Sequence, residues 1–325
     1  MGMTYANVGR SGLKVSRVGL GSWLTYGSSV DISTATRCIR TALDAGVVFL
    51  DTANIYALGE AESMLGEILT DVRRQDLVLA TKVFWPMSDN INDRGLSRKH
   101  LFESIDASLR RLRTDYIDLF QCHRYDPETP MEELVRAMDD LVRHGKVLYW
   151  GVSCWTSSQI VDAVRVSRAL HAPPPISNQP LYNMFERSIE RDVLETSERE
   201  GLSQVVFSPL AQGLLTGKYR GGAIPTGSRA THEHYGRFLR PTLHEENFRR
   251  VAALQDVAGD IGVPLSQLAL AWCLRLPNVA STIIGASRAQ QVSENLGAAD
   301  LTLDADMLER IESILANRPE DATAV

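Results

Sequence analysis

The chain has 325 residues, of which 44% are hydrophobic and 23% are charged, and its formal net charge at pH 7 is -6. This composition is typical of a globular protein with ample apolar material for a large core. The basic residues are scattered, which argues against a nucleic-acid or anionic-lipid surface. We therefore expect a small-molecule partner and no nucleic acid.

The spacing of the cysteines and the lengths of the apolar runs indicate in which compartment we expect the protein. The four cysteines, Cys38, Cys122, Cys154 and Cys273, lie far apart without metal-ligand spacing, as reduced thiols of an intracellular protein do. No apolar run approaches the roughly 20 residues that span a bilayer. Residues 1–16 lack the long apolar core of a signal peptide. We expect a cytoplasmic protein without membrane insertion and without a metal site.

From residue 15 onward, short apolar runs alternate with amphipathic segments about eight times, a pattern that predicts parallel strands joined by helices. The expected strands are 17–22, 47–52, 77–82, 116–123, 148–153, 176–179, 204–209 and 281–286. A doubly wound open sheet is the alternative, but eight evenly spaced strands favour a closed (β/α)8 TIM barrel. We expect a short N-terminal β-hairpin, additional C-terminal helices and, since nothing resembles a linker, a single domain over residues 1–325.

Two helices and one loop carry local signals. Helical periodicity extends over 97–114 and over 129–146, the latter with Thr129 as a plausible N-cap and Gly145 as a stop. The Gly- and Pro-rich stretch 219–243 is long for a loop in a compact domain, which is typical of a lid or binding loop. His232 and His234 within it have no third metal ligand nearby, and we interpret them as solvated histidines.

Ionisable side chains follow three consecutive strands of the predicted barrel. Asp51 ends the second strand, Lys82 the third and His123 the fourth, while Tyr56 follows the second strand in a loop. Singly, a strand-end Asp is more often a cap or salt-bridge partner, and a lone His more often a structural residue. Because catalytic groups of such barrels come from the carboxyl ends of different strands, the joint occurrence favours an active site.

These four groups suit proton donation to a carbonyl oxygen. Tyrosine has an unperturbed pKa of about 10, so we expect Lys82 to lower the pKa of Tyr56 towards neutrality. Asp51 would hold Lys82 charged, and His123 would orient the carbonyl or relay a proton. None of the four residues can supply a hydride, which implies a hydride-donating cofactor.

Two segments are candidates for cofactor binding. The stretch "GLGSWL" (19–24) lacks the third glycine of a dinucleotide fingerprint, whereas "IIGASRAQQVSEN" (283–295) runs from a strand into a helix that begins near Ser287 or Arg288. Ser287 and Arg288 suit an adenosine 2'-phosphate, which favours NADP over NAD; an ordinary capped helix is the alternative. In "FSPLAQGLLTGKY", Phe207 suits the nicotinamide ring and Lys218 the pyrophosphate, although a core aromatic before a loop fits equally.

Over essentially its whole length the sequence resembles the aldo-keto reductases, and Asp51, Tyr56, Lys82 and His123 fall on that family's catalytic tetrad. The runs "SGLKVSRVGLGSW", "RGLSRKH", "TPMEELVRAMDDLV", "AWCLR" and "GASRAQQVSENLGA" are most similar to the branch containing the β subunits of voltage-gated potassium channels and their plant and bacterial relatives. The resemblance implies NADPH bound across the barrel mouth and, by analogy with this branch, a possible homo-tetramer.

The resemblance, with the two segments above, assigns cofactor contacts to strand ends, the loop after the seventh strand and the helix after the eighth. They are Ser22, Trp23, Asp51, Ser153, Cys154, Gln179, Phe207, Ser208, Pro209, Leu210, Ala211, Gln212, Lys218, Arg229, Gly285, Ser287, Arg288, Gln291, Glu294 and Asn295. Cys154 stands where many members have Asn, and Gln291 where many use Arg. His123 is the residue of working reductases, whereas animal channel subunits commonly have Asn there.

The leading hypothesis is an NADPH-dependent reductase of aldehydes or ketones, in which Tyr56 donates the proton. The alternatives are a slow-turnover, NADP-binding redox-sensing subunit of a potassium channel, and a barrel whose strand-end residues are only structural. Aromatic residues in the loops, such as Trp23, Tyr26 and Trp85, suggest an apolar rim around the substrate, and Arg124 suits an anionic or phosphorylated one.

Overall fold

A closed ring of eight parallel strands forms the centre of the computed structural model, which describes residues 2–226, 228–231 and 236–319. An antiparallel hairpin of β1 (Tyr5–Asn7) and β2 (Lys14–Ser16) precedes it. The barrel strands are β3 (Val18–Gly21), β4 (Phe49–Asp51), β5 (Val78–Val83), β6 (Ile117–Cys122), β7 (Val147–Val152), β8 (Ser177–Asn178), β9 (Ser203–Phe207) and β10 (Val279–Ile284). Parallel pairing of β10 with β3 closes the ring, which confirms the predicted barrel and hairpin.

Helices surround the ring. They are α1 (Ile32–Asp44), α2 (Glu60–Ile68), α3 (Arg98–Leu112), α4 (Met131–Arg143), α5 (Ser157–Ala169), α6 (Val193–Glu200), α7 (Glu245–Asp260), α8 (Leu265–Leu274), α9 (Ala289–Leu296) and α10 (Ala305–Leu315). Helix α10 packs against α7, and both are additions to the strand-helix alternation near the C-terminus, as expected.

The hairpin closes the end of the barrel at which the strands begin. Val8 and Val15 are buried in one apolar cluster with Phe49 at the start of β4 and Val78 at the start of β5. Burial of these side chains stabilises the hairpin against the barrel floor. The opposite end, where the strands finish, is therefore the end that loops and polar side chains can shape.

The start of α4 differs from the prediction. Its N-cap residue is Pro130, and Thr129 does not cap the helix, because the Thr129 hydroxyl donates instead to Oδ2 of Asp126 at 2.8 Å. The stop is as predicted: the helix ends at Arg143, and Gly145 follows with a φ of 71°. Left-handed backbone of this kind favours glycine.

The described parts of the predicted loop 219–243 are irregular, with short helical turns at Arg220–Gly222, Arg229–Thr231 and Arg240–Thr242. Ala230 and Leu239 anchor the loop, since both are buried in the main core. His232 and His234, interpreted above as solvated histidines, lie outside the described residues. The role of the loop as a lid stays a prediction.

Within the three described ranges, we find no single helix that has both the length and the apolar character needed to cross a bilayer. Helices α7 and α8, which lie at 90° to each other, are long and apolar enough for a membrane span only when the two are taken together. Nine of the ten residues of α8 are buried in the fold and Gln267 is partly buried, so apolar character there serves the core.

Candidate active site

A buried ion pair lies at the carboxyl end of β4 and β5. Lys82 has no exposed surface, and its Nζ donates to Oδ2 of Asp51 at 2.5 Å and to the carbonyl of Thr52 at 2.7 Å. Adjacent parallel strands place the two residues side by side, since Asp51 pairs with Ala80 and Lys82 is two residues further along the same strand. The predicted Asp51–Lys82 pair is therefore present in the structure.

Tyr56 completes a chain of three groups. Nζ of Lys82 also donates to Oη of Tyr56 at 3.1 Å, and the ammonium lies 4.8 Å from the centre of the phenol ring. The backbone just after Tyr56 is left-handed at Ala57 and Leu58, with φ of 49° and 53°. This turn folds the loop back, so that the phenol reaches the strand end from the loop.

The expected pKa of Tyr56 is wrong in direction. Burial raises the pKa of Tyr56, and although Lys82 lowers it, the nearby carboxylate of Asp51 raises it further. The expectation counted only the cation and omitted desolvation, which disfavours the charged phenolate. Tyr56 is consequently a protonated phenol at neutral pH.

His123 follows β6 and faces Tyr56. The two rings are 5.8 Å apart at an interplanar angle of 80°, and Trp85 lies on the other side of the imidazole at 6.3 Å. Burial, with the nearby charges of Lys82 and Arg124, lowers the pKa of His123 well below its usual 6.5. The buried Nδ1 of His123 has no hydrogen-bond partner among the described residues. His123 is thus a neutral imidazole beside the phenol.

Two buried amides hold the second oxygen of Asp51. Nε2 of Gln179 donates to Oδ1 at 2.9 Å, and Nε2 of Gln121 lies 3.4 Å from the same atom. The sequence interpretation placed Gln179 near the nicotinamide and missed Gln121. The sequence did contain a signal for Gln121. It is the lone amide in the apolar run of the fourth barrel strand, and a buried amide needs a hydrogen-bond partner.

The predicted nicotinamide contacts gather around this centre. Ser22 donates its hydroxyl to Oγ1 of Thr52 at 2.8 Å, and Ser153 donates to the carbonyl of Gln179 at 2.8 Å. Cys154 is exposed beside them in left-handed backbone with a φ of 56°. Hydrogen bonds thus join the residues that follow β3 and β4, and those that follow β7 and β8.

Trp23 and Phe207 form an aromatic wall at this mouth. Their rings are 6.3 Å apart at 89°, and Trp23 also lies 6.5 Å from the ring of Tyr56. Phe238, from the long loop, packs against Trp23 at 5.2 Å. Phe207 is only half-buried, which is compatible with the stacking surface predicted for it.

The segment after β9 presents backbone and polar groups. Left-handed φ angles occur at Ser208, Ala211 and Gln212, while Pro209 is buried and Leu210 half-buried. The amide of Gln212 hydrogen-bonds to Ser208 through Nε2 and to Arg229 through Oε1.

Three cations meet beyond this segment. Desolvation, followed by the like charges of Arg229 and Arg288, lowers the pKa of Lys218. Gly213 lies against Lys218, because a side chain added there would come within 3.2 Å of Nζ. A lysine with two arginines near it fits the negatively charged phosphates of a dinucleotide.

The start of α9 carries the other predicted phosphate contacts. Arg288 is its N-cap residue, as the sequence predicted to within one position, and both the backbone N–H and the hydroxyl of Ser287 donate to Oε1 of Gln291, at 2.9 and 3.2 Å. Gly285, Ser287 and Arg288 are exposed, Asn295 is buried, and Glu294 accepts from Gln290 at 2.7 Å. Residues present at this end therefore fit an adenosine phosphate in charge and exposure.

A closed parallel barrel with a lysine-tyrosine pair at its mouth defines the class to which this chain belongs, the (β/α)8-barrel oxidoreductases. A family model described as the aldo/keto reductase family matches residues 17–316, and the chain is a member of that family. The family uses NAD(P)H and acts on small carbonyl compounds.

Two curated relatives are similar over nearly the whole chain. One from Oryza sativa subsp. japonica and one from Arabidopsis thaliana are each 42% identical over 323 residues, which cover 98% of this chain and 98% of each relative. Both are named probable voltage-gated potassium channel subunit beta. The branch indicated by the sequence is therefore confirmed.

Proposed function

We propose that this protein reduces aldehydes or ketones to alcohols with NADPH, and that Tyr56 donates the proton. The observation that carries the proposal is the relay from Asp51 through Lys82 to Tyr56, with distances of 2.5 and 3.1 Å. A buried, paired ammonium that donates to a protonated phenol stabilises the phenolate which forms when the proton leaves.

The reaction adds a hydride to the carbonyl carbon and a proton to its oxygen. When bound, a nicotinamide cofactor supplies the hydride. Tyr56 transfers its proton to the carbonyl oxygen, and Lys82 then interacts with the phenolate. Asp51 keeps Lys82 in place, and neutral His123 orients the carbonyl oxygen by hydrogen bonding. Each residue therefore has one role and one stated partner.

The preference for NADPH rests on the cations. Arg229 and Arg288 lie close enough to Lys218 to lower its pKa, and Ser287 is exposed beside Arg288. We assign the pyrophosphate to Lys218 and Arg229, and the 2'-phosphate to Ser287 and Arg288. Ser153, Cys154 and Gln179 are assigned to the carboxamide of the nicotinamide. We also propose that residues 1–325 form one barrel domain.

A second candidate function comes from the names of the relatives, which describe channel subunits. In this reading the chain binds NADP tightly, turns over slowly, and reports redox state to a potassium channel as a homo-tetramer. Steady-state oxidation of NADPH with a panel of aldehydes separates the two functions. Sustained turnover with free exchange of cofactor supports the reductase, and negligible turnover with retained cofactor supports the subunit.

The substitution Tyr56→Phe tests the mechanism, because it removes the proton and little else. We expect kcat for aldehyde reduction to fall about 10²- to 10⁴-fold, the range typical of general acid catalysis. Quenching of tryptophan fluorescence by NADPH serves as the control, since Trp23 lies at the mouth. Turnover near that of the parent, with cofactor still bound, rules out Tyr56 as the donor.

A further inference from the structure

Arg124 lies on the inner wall of the mouth, directly after His123. Its Nη1 donates to the carbonyl of His123 at 2.5 Å and lies 3.5 Å from the hydroxyl of Ser153. The guanidinium carbon is 5.7 Å from the ring centre of Trp85. The side chain is partly buried. These contacts hold a cation in a fixed position beside the catalytic groups.

Within residues 2–226, 228–231 and 236–319, the hydrogen bonds of Arg124 use only Nη1 and reach no carboxylate. Other partly buried arginines of the barrel are paired: Arg74 with Asp118 at 2.6 Å, and Arg111 with Glu62 at 2.7 Å. A guanidinium has five N–H donors in a planar fork. Arg124 therefore keeps Nε and Nη2 available for a ligand.

The charges around Arg124 leave the mouth positive. Asp51 and Lys82 cancel each other, Tyr56 is protonated because its pKa is raised, and His123 is neutral because its pKa is lowered. The sum over Asp51, Lys82, Tyr56, His123 and Arg124 is one positive charge, on Arg124, in a chain whose net charge is -6. Local charge of this sign attracts anions to a site that the whole molecule would otherwise repel.

We propose that Arg124 selects carbonyl substrates that carry a carboxylate or a phosphate, by binding the anionic group while the carbonyl faces Tyr56. The inference rests on the proposed reductase function and adds the substrate class to it. Arginine matches the geometry of carboxylate and phosphate oxygens with two parallel hydrogen bonds. Trp85, which is 38% exposed, offers a flat apolar face beside the same guanidinium. An aromatic or short aliphatic aldehyde with an acidic tail fits this pairing.

Matched substrates test the proposal. The carboxylate pair is 4-carboxybenzaldehyde against 4-formylbenzamide, and the phosphate pair is 4-formylphenyl phosphate against 4-methoxybenzaldehyde, each measured at saturating NADPH. We expect the wild type to have the higher kcat/KM for an anionic member. A preference in one pair alone supports the proposal and identifies which anion binds.

The substitution Arg124→Gln removes the charge and keeps the length of the side chain. We expect kcat/KM for the preferred anionic aldehyde to fall about tenfold or more, mainly through KM, a change equivalent to about 1.4 kcal/mol. The neutral aldehydes should change less than about twofold. Arg124→Lys should retain part of the preference, and Arg249→Gln, at a position 73% exposed on α7, controls for a general loss of charge.

Equal losses for charged and neutral aldehydes would show that Arg124 only positions His123 or Ser153, and would overturn the proposal. A wild type without preference in either pair overturns it as well. Binding of terephthalate against terephthalamide, followed by tryptophan fluorescence in saturating NADP+, provides a readout without turnover. If no aldehyde is reduced, the proposed function fails, and equal affinities in this binding comparison then reject the anion site separately.

Discussion

Lys82 keeps its charge without any exposed surface, because hydrogen bonds to three oxygen atoms offset the loss of water. Burial alone lowers the pKa of a lysine, but the carboxylate of Asp51 and the phenol of Tyr56 outweigh burial and raise the pKa of Lys82. The raised pKa keeps Lys82 cationic at neutral pH. At the scale of single residues, the site therefore consists of one compensated ion pair with a phenol attached.

Because Asp51 and Lys82 neutralise each other, we expect Lys82→Met to lower the free energy of unfolding. This variant leaves the carboxylate of Asp51 buried without its cation, and breaking such a pair typically costs about 3–5 kcal/mol. The double variant Asp51→Asn/Lys82→Met removes both charges, so we expect much of that free energy of unfolding to return. Urea unfolding monitored by circular dichroism measures both variants.

Carbonyl reduction should stay low in the double variant, because no ammonium remains beside Tyr56. A double variant as unstable as Lys82→Met would mean that packing of the lysine stem, and not its charge, explains the loss. Comparing the unfolding free energy and the activity of the two variants therefore separates the effect of the charges of Asp51 and Lys82 on stability from their effect on catalysis.

Among the elements, the loops at the carboxyl ends of the strands carry much of the left-handed backbone at non-glycine positions. Leu24 after β3, Ala57 after β4, Cys154 after β7 and Ser208 after β9 have φ angles of 61°, 49°, 56° and 53°. Such conformations cost on the order of 1–3 kcal/mol each and persist where the surroundings enforce them. The strands and helices therefore hold these loops in shapes that loop sequence alone would not favour.

Helix α5 allows a test of how much the capping of one helix N-terminus contributes to the stability of the fold. Thr156 forms a capping box with Gln159, in which the backbone N–H of Thr156 donates to Oε1 of Gln159 at 2.9 Å and the backbone N–H of Gln159 to Oγ1 at 3.4 Å. We expect Thr156→Ala to lower the free energy of unfolding by about 1 kcal/mol. Thr156→Ser keeps the hydroxyl and is the matched control. Equal losses in both variants would point to the methyl group instead.

The elements also show what can be predicted from sequence. Apolar runs ending in polar residues located the strand ends, and the convergence of parallel strand ends brought Asp51, Lys82 and His123 together as expected. Register and strand length depend on neighbouring strands, so the sixth expected strand, 176–179, is reduced to the two-residue strand β8, Ser177–Asn178.

Properties that depend on surroundings could not be predicted. The Thr129 cap failed because a side chain three residues earlier, Asp126, competes for the hydroxyl. The pKa of Tyr56 depends on desolvation, and the isolation of Arg124 from carboxylates depends on three-dimensional neighbours. The pattern and spacing of residues in the sequence give neither the desolvation of Tyr56 nor the three-dimensional neighbours of Arg124.

For the whole molecule, a network of charges joins the C-terminal helix to the barrel. The guanidinium of Arg187 pairs with Glu190 and with Glu312 of α10, both at 2.7 Å, and packs over the ring of Trp272. The pKa of Glu312 is lowered, because its hydrogen bonds to Arg187 and Arg318 outweigh burial. This pairing joins α10 to the segment between β8 and α6 that contains Arg187 and Glu190.

Stability of the whole fold should depend on pH through its buried histidines. Burial lowers the pKa of His100 and of His123 below 6.5, so between these values the unfolded chain binds more protons than the folded one. The unfolding free energy therefore rises with pH in this window. The contribution is complete above about pH 6.5 and decreases below it, by up to about 1.4 kcal/mol per pH unit for each histidine.

Urea unfolding at pH 7.5 and at pH 5.5 measures this dependence. We expect the wild type to lose stability at the lower pH, and His100→Gln to lose less, because one titrating group has been removed. His144, which is exposed on the far end of α4, provides the control variant His144→Gln, with the wild-type dependence retained. Identical losses in His100→Gln and the wild type would mean that folding does not lower the pKa of His100.

The order of strands in the ring also has a consequence for biosynthesis. Asp51, Tyr56, Lys82 and His123 come from three consecutive strands, whereas β3 gains its neighbour on one side only when β10 has been made. A ribosome thus delivers the proton-donating groups more than 150 residues before the strand that closes the ring. Until β10 is made the ring cannot close, so water rather than the finished barrel is available to solvate the charges of Asp51 and Lys82.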